Sequence, residues 1–179
     1  MKIQSPVFLL IDMQQRLVPA MSRASEAVAR QQLLLKACPL LGVPVLASEQ
    51  YPQGLGGTIP ELRELLPADA RTIAKTGFSC FEEAAFVRQL ESLGARTLVI
   101  AGCEAHVCVF LTAVDAVARG LECICIADAV ASRRDEERML ALENLRSRGV
   151  WTASAESWIF ACMKNSGHPE FKAISKLVR

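Results

Sequence analysis

Three residues able to do chemistry sit where apolar runs give out. Asp12 follows "PVFLLI", Lys75 follows "RTIA", and Cys108 closes "GCEAHVC" just past the run "RTLVIAG". A carboxylate or ammonium at such a place is costly to bury without a partner. If a helix begins near Ala105 or His106, Cys108 falls in its first turn, where unpaired backbone N–H groups and the helix dipole favour negative charge. That placement predicts a lowered thiol pKa. The same amides suit the oxyanion of a tetrahedral intermediate. A base, a cation and a thiol are the parts of covalent acyl transfer: Asp12 takes the thiol proton, Lys75 polarises the site and Cys108 attacks. Each residue also has a plainer reading. Cysteine is a common core filler, strand-terminal aspartates cap helices, and a lysine can simply mark a strand's surface end.

The elements that must position them alternate. Short β-rich runs ("PVFLLID", "VPVLAS", "RTIAK", "RTLVIAG", "LECICIAD", "VWTASA") are separated by helical spacing over 24–41, 80–93, 105–119 and 133–148. Six strands are expected. They are continuously apolar, which predicts a parallel sheet covered by helices on both faces. Ser132 with Asp135 resembles a capping box, and Gly94, Gly120 and Gly149 each close a helical run. "EQYPQGLGGTIP" is too rich in glycine and proline to continue an element and is read as a loop placed like a lid. In such a sheet ligands bind beyond the carboxyl ends of the strands, where the order reverses, and all three residues point to that edge.

The composition narrows the partners. With 179 residues, 51% hydrophobic, the chain fits one domain spanning 1–179. Lysine plus arginine number 20 against 19 acidic residues, so net charge offers no field for nucleic acid or an anionic membrane. A small-molecule partner is expected. No apolar run reaches the roughly 18 residues of a membrane span. Seven cysteines, an odd number without a C-x-x-C pair, fit reduced thiols in the cytoplasm. His106 and His168, the only histidines, make a poor metal set.

"LLIDMQ", "AKTGFS" and "GCEAHVC" resemble the signature segments of the isochorismatase-like cysteine hydrolases, over nearly the whole chain. "EQYPQGLGGTIPEL" and "HPEFKAISKLV" are similar to the small isochorismatase-domain-containing proteins. The resemblance implies a three-layer α/β sandwich with a six-stranded parallel sheet of order 3-2-1-4-5-6. It implies the triad Asp12, Lys75 and Cys108, and a cis peptide before Glu104 that aims the amides of Glu104 and Cys108 at the oxyanion. It implies hydrolysis of a small amide-like C–N bond through a thioester, and a homo-oligomer. Relatives that hold a metal carry histidines where this chain has "SEQYPQGLGG", so neither metal nor other cofactor is expected. Family members that cleave a vinyl ether need no thiol nucleophile, so Cys108 argues against that reaction.

In the implied order, strand 3 lies two positions from strand 1, about 10 Å away, so "KTGFS" must bend inward, with Gly77 permitting the bend. Gln14, Tyr51, Phe78 and His106 are candidate pocket residues. Gln14 equally suits a backbone hydrogen bond, His106 a surface position, and Tyr51, Phe78 and Trp151 packing roles. "RRDEER" reads as a solvated helix face with internal pairs, and Cys123 with Cys125 as core filling on one strand face. Two other classes fit the same sequence: a catalytically silent interaction protein that keeps the triad, and a thiol redox sensor.

Overall fold

The computed structural model describes residues 3–179. Six strands, β1 (Pro6–Ile11), β2 (Val45–Gln50), β3 (Arg71–Lys75), β4 (Thr97–Cys103), β5 (Glu122–Ala131) and β6 (Trp151–Ala153), form one sheet. All pairings are parallel, in the order β3-β2-β1-β4-β5-β6. The direction of progression reverses between β1 and β4, the place where open α/β sheets bind their ligands.

The helices are α1 (Ala24–Leu40), α2 (Pro52–Leu55), α3 (Pro60–Arg63), α4 (Ala84–Ser92), α5 (Phe110–Ala118), α6 (Asp135–Ser147), α7 (Ala155–Met163) and α8 (Phe171–Leu177). Alternate residues of β1, β2, β4 and β5 feed two cores, while the edge strands β3 and β6 are largely exposed. Phe8 and Leu10 pack with Leu34, Cys38, Trp158 and Ile174 beneath α1, α7 and α8. Val7, Leu9 and Ile11 pack with Phe86, Ala113 and Leu145 beneath α4, α5 and α6. Burial on both faces explains why these four strands read as unbroken apolar runs, and the helices on either side make the protein a three-layer sandwich.

Several expectations change in detail. The stretch read as a loop begins with the end of β2, holds the short helix α2 and leads into α3 at Pro60, and it is lashed to the chain after β1. Gln15 and Arg16 donate backbone N–H bonds to Gly57 and Leu55, and Ile59 donates one to Met13. Ser132 does not cap α6; Arg134 occupies that position, and the Ser132 hydroxyl meets His106 instead. Within "RRDEER" the pairs Arg134–Glu137 and Arg138–Asp135 form as expected, yet Arg138 is buried and donates to the carbonyl of Ala127. Helices α7 and α8 carry no counterpart among the runs read from sequence, although Trp158 of α7 is one of the largest fully buried side chains.

Candidate active site

The site begins with a close backbone approach. Ile11, last in β1, lies opposite Gly102 of β4, and a Cβ built on Gly102 would stand 2.1 Å from the Ile11 carbonyl oxygen. Gly102 has φ +126°, so only glycine fits there on both counts. The residues just beyond, Asp12 and Cys103, are thereby pressed together, and the Cys103 thiol donates to the Asp12 carbonyl at 3.1 Å. Asp12 itself adopts φ +50°, a left-handed conformation that aspartate tolerates better than most residues.

The Asp12 side chain is fully buried and partnered on both oxygens. Ser48, at the end of β2, donates its hydroxyl to Oδ1 at 2.7 Å. Lys75 Nζ lies 2.8 Å from Oδ2, with both side chains wholly withdrawn from solvent. Oδ2 meets no other donor among the described residues, which leaves it free to receive a proton.

Lys75 reaches Asp12 from two strands away. It pairs in register with Gln50, and its side chain crosses β2 to the carboxylate. The segment after β3 folds back as expected, so that the carbonyls of Gly77 and Phe78 each stand 3.2 Å from Nζ. Gly77 serves by making room, since a Cβ there would collide with the Glu82 side chain. Gln50 supplies a further acceptor, its Oε1 at 2.6 Å from Nζ. Burial is the largest single influence and works against the Lys75 charge, but Asp12 together with Cys108 and Cys80 outweighs it, and the pKa stands above the ordinary lysine value.

Cys108 follows β4 in a single π-helical turn, Ala105–Val109, rather than in the first turn of an α-helix. The turn leaves a cis peptide between Cys103 and Glu104, as the resemblance implies. Single π turns inside or beside α-helices recur at functional sites. The thiol pKa moves opposite to the expectation from helix position. Burial pushes Cys108 up to about 12, the Asp12 charge adds to the rise, and Lys75 opposes it. Desolvation outweighs the helix dipole here, so the resting sulfur is a neutral thiol rather than a thiolate.

The four candidate pocket residues separate. Gln14 is fully buried and turned to protein, its Nε2 donating to the carbonyls of Gln50 and Gly56 and its Oε1 accepting from the Gln50 N–H. Tyr51 and Phe78 are 56% and 55% exposed on either side of the Lys75 strand end, so neither is a core residue. His106 Nδ1 is 3.0 Å from the Ser132 hydroxyl and borders a depression of about 300 Å³ with Arg133, Arg134 and Glu137. Glu104 is held from the same side, its carboxylate accepting from the backbone N–H and the guanidinium of Arg133. Trp151, 49% exposed, begins β6 and so lies at the opposite edge of the sheet. Cys123 and Cys125 are buried in the core beneath α4–α6.

Sequence reasoning missed Ser48 and Gln50. Ser48 ends the apolar run "VPVLAS" and carried the same strand-end signal as Asp12. Gln50 carried no signal of its own.

An isochorismatase domain matches residues 6–157. This chain belongs to the isochorismatase-domain family. Isochorismatase domain-containing proteins 1 and 2 of Danio rerio are each 37% identical over 173 residues. The match covers 97% of this chain and 60% of the first protein, and 96% of this chain and 86% of the second. The chain thus spans about 60% of the type 1 relatives it matches. Among solved structures, one described as MAR1 ribonuclease from Caenorhabditis elegans superposes with a TM-score of 0.94. It shares 30% identity over 99% of this chain and 92% of that one.

Proposed function

We propose that this chain is a cysteine-dependent hydrolase of a small amide-like substrate, acting through a thioester. The observation that carries the reading is the sealed Asp12–Lys75 ion pair at 2.8 Å, set at the sheet's switch point where both charges act on the Cys108 thiol. Family membership supports hydrolysis in general.

In the proposed cycle Cys108 Sγ attacks the carbonyl carbon as its proton passes to Asp12 Oδ2. The carbonyl oxygen takes the negative charge, facing the backbone amides of Glu104 and Cys108. The C–N bond breaks, Asp12 returns the proton to the departing nitrogen, and an amine or ammonia leaves with an acyl-thioester behind. Water then adds to the thioester with Asp12 as base; the C–S bond breaks and the thiol regains its proton. Lys75 remains an ammonium throughout and never transfers a proton.

Tyr51 and Phe78, exposed beside the site, suit a subunit contact, and we include a homo-oligomer in the proposal. An octameric hydrolase of unknown specificity from Escherichia coli has this fold, with 20% identity and a TM-score of 0.91. The reduced thiols fit a cytoplasmic setting, and no helix among the described residues is long and apolar enough to cross a membrane. The test is a panel of small amides with ammonia detection, combined with intact-mass measurement during turnover. Release of ammonia with an acyl mass on the Cys108 peptide is expected. Turnover retained in Cys108→Ala would overturn the mechanism.

A further inference from the structure

Lys75 Nζ is surrounded by oxygens that can only accept: Asp12 Oδ2 at 2.8 Å, Gln50 Oε1 at 2.6 Å, and the carbonyls of Gly77 and Phe78 at 3.2 Å. An ammonium brings three protons to such a cage, whereas a neutral amine brings two and turns a lone pair toward another oxygen. The cage therefore selects the charged form. Its shortest member is not the carboxylate but the Gln50 amide, whose orientation is set from the other end. Gln50 Nε2 donates to the Thr76 carbonyl at 2.7 Å, so a flipped amide would set oxygen against oxygen. The Gln50 backbone is gripped in turn by Gln14, which accepts from its N–H at 2.8 Å and donates to its carbonyl at 2.9 Å.

We infer that Gln50 is a positioning residue for the reaction: its carboxamide oxygen holds the Lys75 ammonium against Asp12, and through that ion pair it sets the reactivity of Cys108. This rests on the triad proposed above. Gln50 acts through Lys75, and its polarity is dictated by Thr76. The Gln14 clamp explains why a fully buried glutamine follows so closely on Asp12: it locks the end of β2, and with it the acceptor that Lys75 needs.

The test uses the full chain with Gln50→Met, which keeps the length and removes the acceptor, and Gln50→Glu, which keeps an oxygen toward Nζ. Two readouts are taken: the Lys75 ammonium resonance in ¹H–¹⁵N spectra, and the rate of Cys108 alkylation by iodoacetamide against pH. Gln50→Met is expected to lose the slowly exchanging ammonium resonance and to slow alkylation about tenfold at pH 8, the scale of one charge-assisted hydrogen bond. Gln50→Glu restores the resonance but leaves alkylation slow, because it adds a second negative charge near the thiol. A folded Gln50→Met with the native resonance and native alkylation profile overturns the inference. Should Gln50→Met not fold, native alkylation in Gln50→Glu overturns it and slowed alkylation with the resonance kept supports it. Lys75→Met separates the two levels: if it too leaves alkylation unchanged, the triad itself fails, whereas slowed alkylation there beside a silent Gln50→Met refutes Gln50 alone.

Discussion

Replacing Asp12 with asparagine should move two measurements in opposite directions. Burial and the Asp12 charge push the Cys108 thiol up to about 12, so at pH 7 it is overwhelmingly the neutral thiol. After burial, the Asp12 charge is the largest cause of that rise. As a scale for that effect, a unit charge at about 4 Å is worth about 4 kcal/mol at an effective dielectric near 20, or roughly three pKa units. Asparagine retains a dipole and the serine contact, so a fall of about two units is the working figure. The thiolate fraction then rises about 100-fold, and its lower basicity gives back about tenfold in nucleophilicity. Cys108 of Asp12→Asn should therefore alkylate about tenfold faster at pH 7 while amide turnover falls 100-fold or more through loss of the base. The assay is timed iodoacetamide labelling with peptide mass mapping, which separates Cys108 from the partly exposed Cys162. Alkylation no faster than in the wild type would refute the electrostatic coupling on which the site depends.

Cys108→Ala should abolish turnover yet melt within a few degrees of the wild type, since it removes one small buried group; scanning calorimetry and ammonia release check the two halves. Gly102→Ala should destabilise the fold by roughly 3 kcal/mol or more, because the new Cβ meets the Ile11 carbonyl at a left-handed φ, and urea unfolding reads this directly. The buried thiols make the fold sensitive to alkali. Cys80 is pushed by burial to about 11, and Cys108 and Cys125 to about 12. The unfolded chain thus loses these protons first, from about pH 9. Their stabilisation is complete below that pH and is lost toward pH 11–12, at about 1.4 kcal/mol per thiol per pH unit. Urea midpoints that stay level from pH 8 to 10.5 would contradict it.

Much of this architecture was legible because burial on both faces leaves an unmistakable mark on the central strands: "PVFLLI" reads as a strand and is one, whereas "RTIAK", largely exposed at the sheet edge, was legible from its β-rich residues and its place in the alternation. Asp12, Lys75 and Cys108 were legible because polar or reactive residues at the ends of such runs need a reason to be there. What stayed hidden depends on distance in the chain. Ser132 looked like a cap from its neighbour three residues on, yet its hydroxyl is taken by His106, 26 residues earlier. Arg138 looked solvated because its run is charged, but its guanidinium turns inward to a carbonyl of β5. Gln50 is an ordinary strand-end residue until β3 arrives beside it carrying Lys75.

The reversed shift of the Cys108 thiol follows the same logic, and it bears on how the proposed reaction runs. Reading the helix start alone counts the dipole and neglects the burial of Cys108 in the core beneath α4, α5 and α6. A buried thiolate would add a second negative charge to that of Asp12, two against one lysine. Moving the proton to Asp12 as sulfur attacks avoids that arrangement: the cluster begins with one carboxylate and one ammonium and passes through one oxyanion and one ammonium, so its net charge never changes. Burial that penalises free ionisation of the thiol does not penalise this transfer, because charge is relocated rather than created. The lysine is then best held permanently charged and stationary, and a cage of four acceptor oxygens provides that.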